Sequence, residues 1–160
     1  RAITGARLLA VTVGVTAISV AGVMSASAAT TKSVVEVVKN AKLHETILVN
    51  RKGMTLYSLS AEKRGRFICT DTSCLSVWKP LVVAKGVKPT GVSGLTAVKR
   101  PDGRRQVAFH GAPLYRFVQD TKPGQIKGNG FKDVGVWRPV TTSGTSTAPA
   151  SSNPMPSYGY

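Results

Sequence analysis

The sequence predicts a mainly β fold: a single small antiparallel β domain built from two tandem repeats of hairpins and meander, related by a pseudo-twofold. Three observations lead there. Gly53-Met54-Thr55-Leu56-Tyr57-Ser58-Leu59 and Gly111-Ala112-Pro113-Leu114-Tyr115-Arg116-Phe117 share one skeleton, 58 positions apart. Trp78-Lys79-Pro80-Leu81 follows the first tyrosine by 21 residues, and Trp137-Arg138-Pro139-Val140 follows the second by 22. Two motifs in the same order at nearly the same spacing mark an internal duplication. Finally, short β-branched runs alternate with Gly and Pro turns, and no helix of ten residues is predicted after the leader.

Residues 1–28 have the three-part build of a secretory signal peptide. Arg1 and Arg7 supply the basic start, Leu8 to Val23 is uncharged, and Ala26-Ser27-Ala28 is a small-x-small cleavage site. The uncharged run is 16 residues long and carries Thr12, Gly14, Thr16, Ser19 and Gly22. A spanning helix needs about 20 predominantly apolar residues. Cleavage after Ala28, export and no stable membrane span after processing are expected, with a retained anchor as the alternative. No cysteine stands at the cleavage point, so no lipid attachment is expected there.

Residues 29–33 form a short polar leader. Val34–Val38 is rich in β-branched residues and too short for a stable helix, so it is predicted as a strand. Thr46–Asn50 is a second strand, Arg51-Lys52-Gly53 turns the chain, and Met54–Leu59 returns as its hairpin partner. Ser60–Ser73 reads as a polar, basic loop, and Trp78–Val83 as one short strand with Pro80 at an edge or start. Gly86, Pro89, Gly91 and Gly94 mark residues 84–94 as a linker.

In the second copy Leu95–Lys99, Arg104–Phe109 and Pro113–Val118 form a meander, turned by Pro101-Asp102-Gly103 and by His110-Gly111. Thr121–Gly130 is a loop and Val134–Val140 closes the repeat. Residues 141–160, rich in Ser, Thr, Pro and Ala, read as a disordered tail. The folded domain is thus 34–140, with repeats at about 46–83 and 95–140. That length supports one hydrophobic core.

The chain of 160 residues holds 22 Lys and Arg against seven Asp and Glu, a net charge of +15. Subtracting Arg1 and Arg7 leaves 20 against seven, or +13. Such a surface attracts polyanions. For an exported chain these are anionic cell-wall or surface polymers such as teichoic acids, acidic glycans or lipid headgroups, and no specific nucleic acid is expected. The basic residues are scattered, including Lys32, Lys39, Arg51, Lys63, Arg66, Arg100 and Arg104. A solvated surface that aids solubility therefore stands beside a specific anion site.

Cys69 and Cys74 are the only cysteines. In an oxidising compartment a structural disulfide is expected, fixing the irregular segment before Trp78. Redox or metal use of the pair is the alternative. His44 and His110 lie in different halves of the chain with no second ligand three to five residues away, so no metal site is expected. No paired carboxylates, nucleophile elbow or phosphate-binding glycine loop is recognisable, so no catalytic residue and no cofactor is expected. The repeated aromatics Tyr57, Trp78, Tyr115 and Trp137 are candidate ligand contacts lining a groove; the alternative makes them core anchors. Asp120 follows Tyr115 by five positions, as Glu62 follows Tyr57. An acid at the same place in both copies suggests bonds to backbone N–H groups, with a ligand contact at Asp120 as the alternative.

Tyr115-Arg116-Phe117-Val118-Gln119-Asp120 resembles the signature of the bacterial secreted-repeat family, predicted lipoproteins with a Tyr-x-aromatic-x-x-Asp motif. Tyr57-Ser58-Leu59-Ser60-Ala61-Glu62 is a degenerate copy, with Leu for the aromatic and Glu for Asp. The resemblance extends over Ile47–Tyr57, the cysteines with Trp78–Leu81, and Arg100–Pro123. It implies a small exported β-rich domain of the bacterial envelope with no settled activity. The expected function is a non-enzymatic envelope or extracellular module, engaging anionic surface polymers. The alternatives are a redox- or metal-handling envelope protein using Cys69 and Cys74, and extracellular polynucleotide binding.

Overall fold

The computed structural model describes residues 33–142 and 144–145. The predicted leader at 1–28 and residues 29–32 lie outside them, as does the predicted tail beyond Thr142 apart from Gly144 and Thr145. Among the described residues no helix is long and apolar enough to cross a membrane.

The architecture is mainly β and antiparallel. Strands β1 (Val35–Asn40) and β2 (Glu45–Asn50) form a hairpin running from Val35↔Asn50 to Asn40↔Glu45. Its connection is shaped by Asn40, whose side-chain oxygen accepts from the Lys42 and Leu43 amides. That Asx geometry gives backbone donors a partner where the ladder ends. The predicted hairpin between Thr46–Asn50 and Met54–Leu59 forms only in its first half. Asn50 N–H donates to Met54 O, Val49 bridges Thr55, and Leu56 N–H donates to Leu48 O. The chain then leaves β2, and Tyr57–Leu59 (β3) pairs elsewhere.

Helix α1 (Thr72–Val77) occupies a segment expected to hold no helix. Asp71 caps it by accepting from the Cys74 amide, at 3.0 Å. Aspartate is among the strongest N-cap residues, because its oxygen satisfies an otherwise orphaned N–H.

The predicted strand Trp78–Val83 is two strands in two sheets, β4 (Trp78–Pro80) and β5 (Val82–Val83). Leu81 joins them: its N–H donates to Leu114 O and its carbonyl accepts from Val107 N–H. The second copy splits in the same way. Strands β6 (Leu95–Lys99), β7 (Arg105–Phe109) and β8 (Ala112–Pro113) form the predicted meander. Strand β9 (Tyr115–Phe117), expected to continue it, crosses into the other sheet. Strand β10 (Trp137–Thr141) runs one residue into the region expected to be tail, and Gly144–Thr145 (β11) pairs back on it.

The larger sheet has the order β1-β2-β10-β3-β9-β4, with β11 on β10. The smaller is β5-β7-β6, with β8 on β7. From β2 to β4 the larger sheet takes strands alternately from the first and second halves of the chain. One register occurs twice within it: Trp137 stands opposite Leu59 and Pro139 opposite Tyr57, while Trp78 stands opposite Phe117 and Pro80 opposite Tyr115. Between these pairs Tyr57 faces Tyr115.

Successive side chains in a strand point to opposite faces. One apolar cluster, with Leu48, Leu56, Val107, Leu114 and Val140, lies against the smaller sheet. A second gathers Tyr57, Leu59, Trp78, Tyr115, Phe117 and Trp137. The predicted linker is bound into this frame. Thr90 O accepts from both the Val34 and Val35 amides, and Gly91, at φ 134°, passes so close that a Cβ there would sit 1.7 Å from Val35 O.

Candidate functional site

The repeated aromatics meet, but in the interior. Tyr57, Trp78, Tyr115 and Trp137 are each at most 1% exposed, so they do not line an open groove. Trp78 and Trp137 stack with ring centroids 3.9 Å apart and planes 7° from parallel. Tyr57 meets Trp78 edge-on at 5.4 Å, and Tyr115 meets Trp137 edge-on at 5.0 Å. Edge-to-face contact sets the positive rim of one ring against the negative face of another. These four side chains are core anchors in the described fold.

Both tyrosine hydroxyls reach carboxylates from the other half of the chain. Tyr57 donates to Asp120 at 2.6 Å, and Tyr115 donates to Glu62 at 2.8 Å. The second oxygen of each acid serves the backbone. Glu62 accepts from the Ile68 and Cys69 amides, both at 2.7 Å, and Asp120 from the Lys127 amide at 2.9 Å. The expected backbone bonds are present, and Asp120, 3% exposed, is not a surface ligand contact. Burial raises the Asp120 carboxyl above its ordinary range, opposed by the Tyr57 hydroxyl and the Lys127 amide. Burial, followed by the neighbouring carboxylate, pushes both phenols up as well.

Arg100 is the polar residue that the scattered-charge reading misplaced. It is buried, with its guanidinium donating to Gln106 Oε1, to Tyr115 Oη at 3.1 Å and to Cys69 O at 2.8 Å. Its Nε donates to Asp102 at 3.2 Å, and Phe67 lies under it at 4.9 Å. A buried charge needs such partners, since stripping it of water costs several kcal/mol. Gln106 completes the group by donating to Leu114 O. The sequence offered one signal, an arginine directly before the Pro101-Asp102-Gly103 turn.

Cys69 and Cys74 form a disulfide with Cα atoms 5.4 Å apart, bridging the segment before α1 to its middle. It lines a cavity of about 310 Å³ that also touches Trp78 and Phe131, and no sequence motif indicated this opening. His44 and His110 both adopt positive φ, at 56° and 47°, and both are exposed turn residues. Among the described residues no group of three or more His, Cys, Asp or Glu side chains is placed to hold a metal ion.

Most of the other basic side chains lie outside, while Arg105, Arg116 and Arg138 are half-buried. Lys39, Lys42, Lys63, Arg66, Lys79, Lys85, Lys88, Lys99, Lys122 and Lys132 are all exposed. Ion pairs among the described residues include Arg100–Asp102 and Arg104–Asp102. On the larger sheet Lys79 stands opposite Arg116 in register, and its ammonium donates to Leu75 O at 2.8 Å.

Residues 96–141 match the family model of a secreted repeat of unknown function. The matched stretch contains Tyr115–Asp120 and ends with β10, bearing out the resemblance over the second copy. No curated protein and no solved structure matches the chain.

Proposed function

We propose that this chain is an exported, non-enzymatic β module that engages anionic polymers of the cell surface through its basic exterior. The Lys79–Arg116 pair carries the reading. Cross-strand neighbours lie about 5 Å apart, so Lys79, whose ammonium donates to Leu75 O at 2.8 Å, and Arg116 bring two cations to one stretch of sheet that an anion can bridge. A polymer with regularly spaced phosphates or carboxylates supplies such anions. Location outside the cell is supported by the secreted family matched at residues 96–141. The non-enzymatic part is supported by Glu62 and Asp120, whose oxygens are occupied by tyrosine hydroxyls and backbone amides.

Sedimentation with purified cell-wall fractions and with poly(glycerol phosphate), across a salt series, tests the proposal. Binding should fall steeply as ionic strength rises, because exposed contacts are screened within about 10 Å at 0.1 M salt. Lys79→Gln combined with Arg116→Gln should weaken it further. Salt-insensitive binding, or none to any fraction, would overturn the reading. Competition by heparin and by duplex DNA at equal charge would separate a general polyanion response from polynucleotide binding.

A further inference from the structure

The cavity beside the disulfide has a charge opposite to that of the molecule. In a chain of 22 Lys and Arg and only seven Asp and Glu, its lining contains Asp71 and Asp133 and no basic side chain. The rest of its wall is apolar or small and includes Phe131, Val77 and Val134.

Each carboxylate has one oxygen engaged and one left over. Asp71 uses Oδ1 for the Ser73 hydroxyl and the Cys74 amide, and Asp133 uses Oδ2 for the Trp137 indole N–H at 3.1 Å. Oδ2 of Asp71 and Oδ1 of Asp133 therefore remain as acceptors at the cavity. The Ser73 hydroxyl and then the Cys74 amide hold the Asp71 carboxyl below its ordinary range, so it is ionised at neutral pH. Both acids are fixed by their surroundings: Asp71 caps α1, and Asp133 is tied to a core tryptophan. A volume of about 310 Å³ suits a small organic molecule.

We propose that this cavity binds a small organic cation: an ammonium or amidinium on an aromatic or apolar body. The body lies against Phe131, Val77 and Val134, and the cationic end meets Asp71 and Asp133. Aromatic walls favour the same charge, since a cation is attracted to a ring face. The disulfide ties Cys69 to α1 along one side of the cavity, which limits the ordering that binding requires. This site is independent of the basic exterior and selects the opposite sign of ligand.

The test is an NMR titration of the intact secreted chain with phenethylammonium, 2-phenylethanol and phenylacetate, which share a body and differ in charge. Saturable shifts confined to the amides of Ser73, Cys74, Asp133 and Val134 and to the Trp137 indole are expected with phenethylammonium. The neutral and anionic probes should bind at least about tenfold more weakly. Asp71→Asn with Asp133→Asn keeps a cap and an indole acceptor, so the fold should persist while cation affinity drops about tenfold or more. Equal binding of all three probes, no saturable shift, or a folded double variant of undiminished affinity would each overturn the proposal. Polymer binding by the same variant should persist or strengthen, because two negative charges are removed, so failure here leaves the basic-surface reading standing.

Discussion

Trp78 and Trp137 lie in face-to-face contact, 3.9 Å between ring centroids, although 59 positions separate them in sequence. Each stands in the same register opposite an apolar residue from the other half of the chain, Phe117 and Leu59 respectively. Replacing either by Ala removes a large buried ring and exposes the other to a cavity. Such truncations cost about 3–5 kcal/mol. Trp137→Ala also strips Asp133 of its indole donor. Urea unfolding monitored by far-UV circular dichroism should show both midpoints falling sharply; a loss under about 1 kcal/mol would contradict the packing.

Tyr57→Phe leaves Asp120 buried without its hydroxyl donor. An unsatisfied buried acceptor costs about 1–3 kcal/mol. The effect should depend on pH, with a sign that can be worked out. Asp120 has a raised carboxyl in the folded state, so its contribution is full below the ordinary value of 3.8 and is lost as pH rises through the folded value. Removing the Tyr57 hydroxyl, which lowers that value, raises it further. The deficit of Tyr57→Phe relative to the parent should therefore grow from pH 3 toward pH 7, as read from denaturant midpoints across that range. A deficit that shrinks would refute the assignment.

Both described phenols are held above the ordinary 10.0 by burial and an adjacent carboxylate. Stability attributable to them is intact below pH 10 and is lost as pH rises toward their folded values. Absorbance at 295 nm should show the Tyr57 and Tyr115 phenolates appearing only with alkaline unfolding. The chain also holds Tyr158 and Tyr160, so Tyr57→Phe and Tyr115→Phe identify the two signals by difference, and a difference signal near pH 10 in the folded chain would contradict the buried network.

Reducing the disulfide opens a loop closed across five positions. Chain entropy gives such a small loop about 2 kcal/mol of stabilisation. Cys69→Ser with Cys74→Ser should thus lower stability by about that amount while the Arg100 bonds to Tyr115 and Gln106 keep the sheets in place. Complete unfolding on reduction would mean the bridge carries more of the fold than its geometry indicates.

Gly91→Ala places a Cβ against the Val35 carbonyl at a φ of 134°, which side-chain-bearing residues rarely adopt. The backbone must shift, breaking the Thr90 bonds to Val34 and Val35. Gly86→Ala meets no atom within 4 Å, so its cost is confined to its own backbone at φ 82°. Thermal unfolding should rank Gly91→Ala well below Gly86→Ala; equal melting would remove the close approach.

The β class, the paired cysteines and most strand positions were legible because each rests on neighbouring residues: β-branched runs, Gly turns, an even cysteine pair. Partner choice was not. Nothing in Tyr115-Arg116-Phe117 says that it leaves β7 to lie between β3 and β4. Residues far away in sequence decide that, through the shared apolar clusters. Arg100 reads as surface charge until its distant partners Tyr115, Gln106 and Cys69 are placed around it. The cavity escaped for a similar reason, since its two acids lie 62 positions apart and meet only when α1 packs near Phe131. The α1 signal itself was local: Asp71 three residues before Cys74 is a capping spacing.

The alternation of first-half and second-half strands in the larger sheet bears on what a protease would accomplish. Cutting the exposed 84–88 stretch severs the chain without parting the pieces, because β10 lies between β2 and β3, and β9 lies between β3 and β4. The two fragments should co-migrate as one particle until denatured. Mixed afterwards, they should reassemble, whereas either one alone lacks the strands to close its sheet.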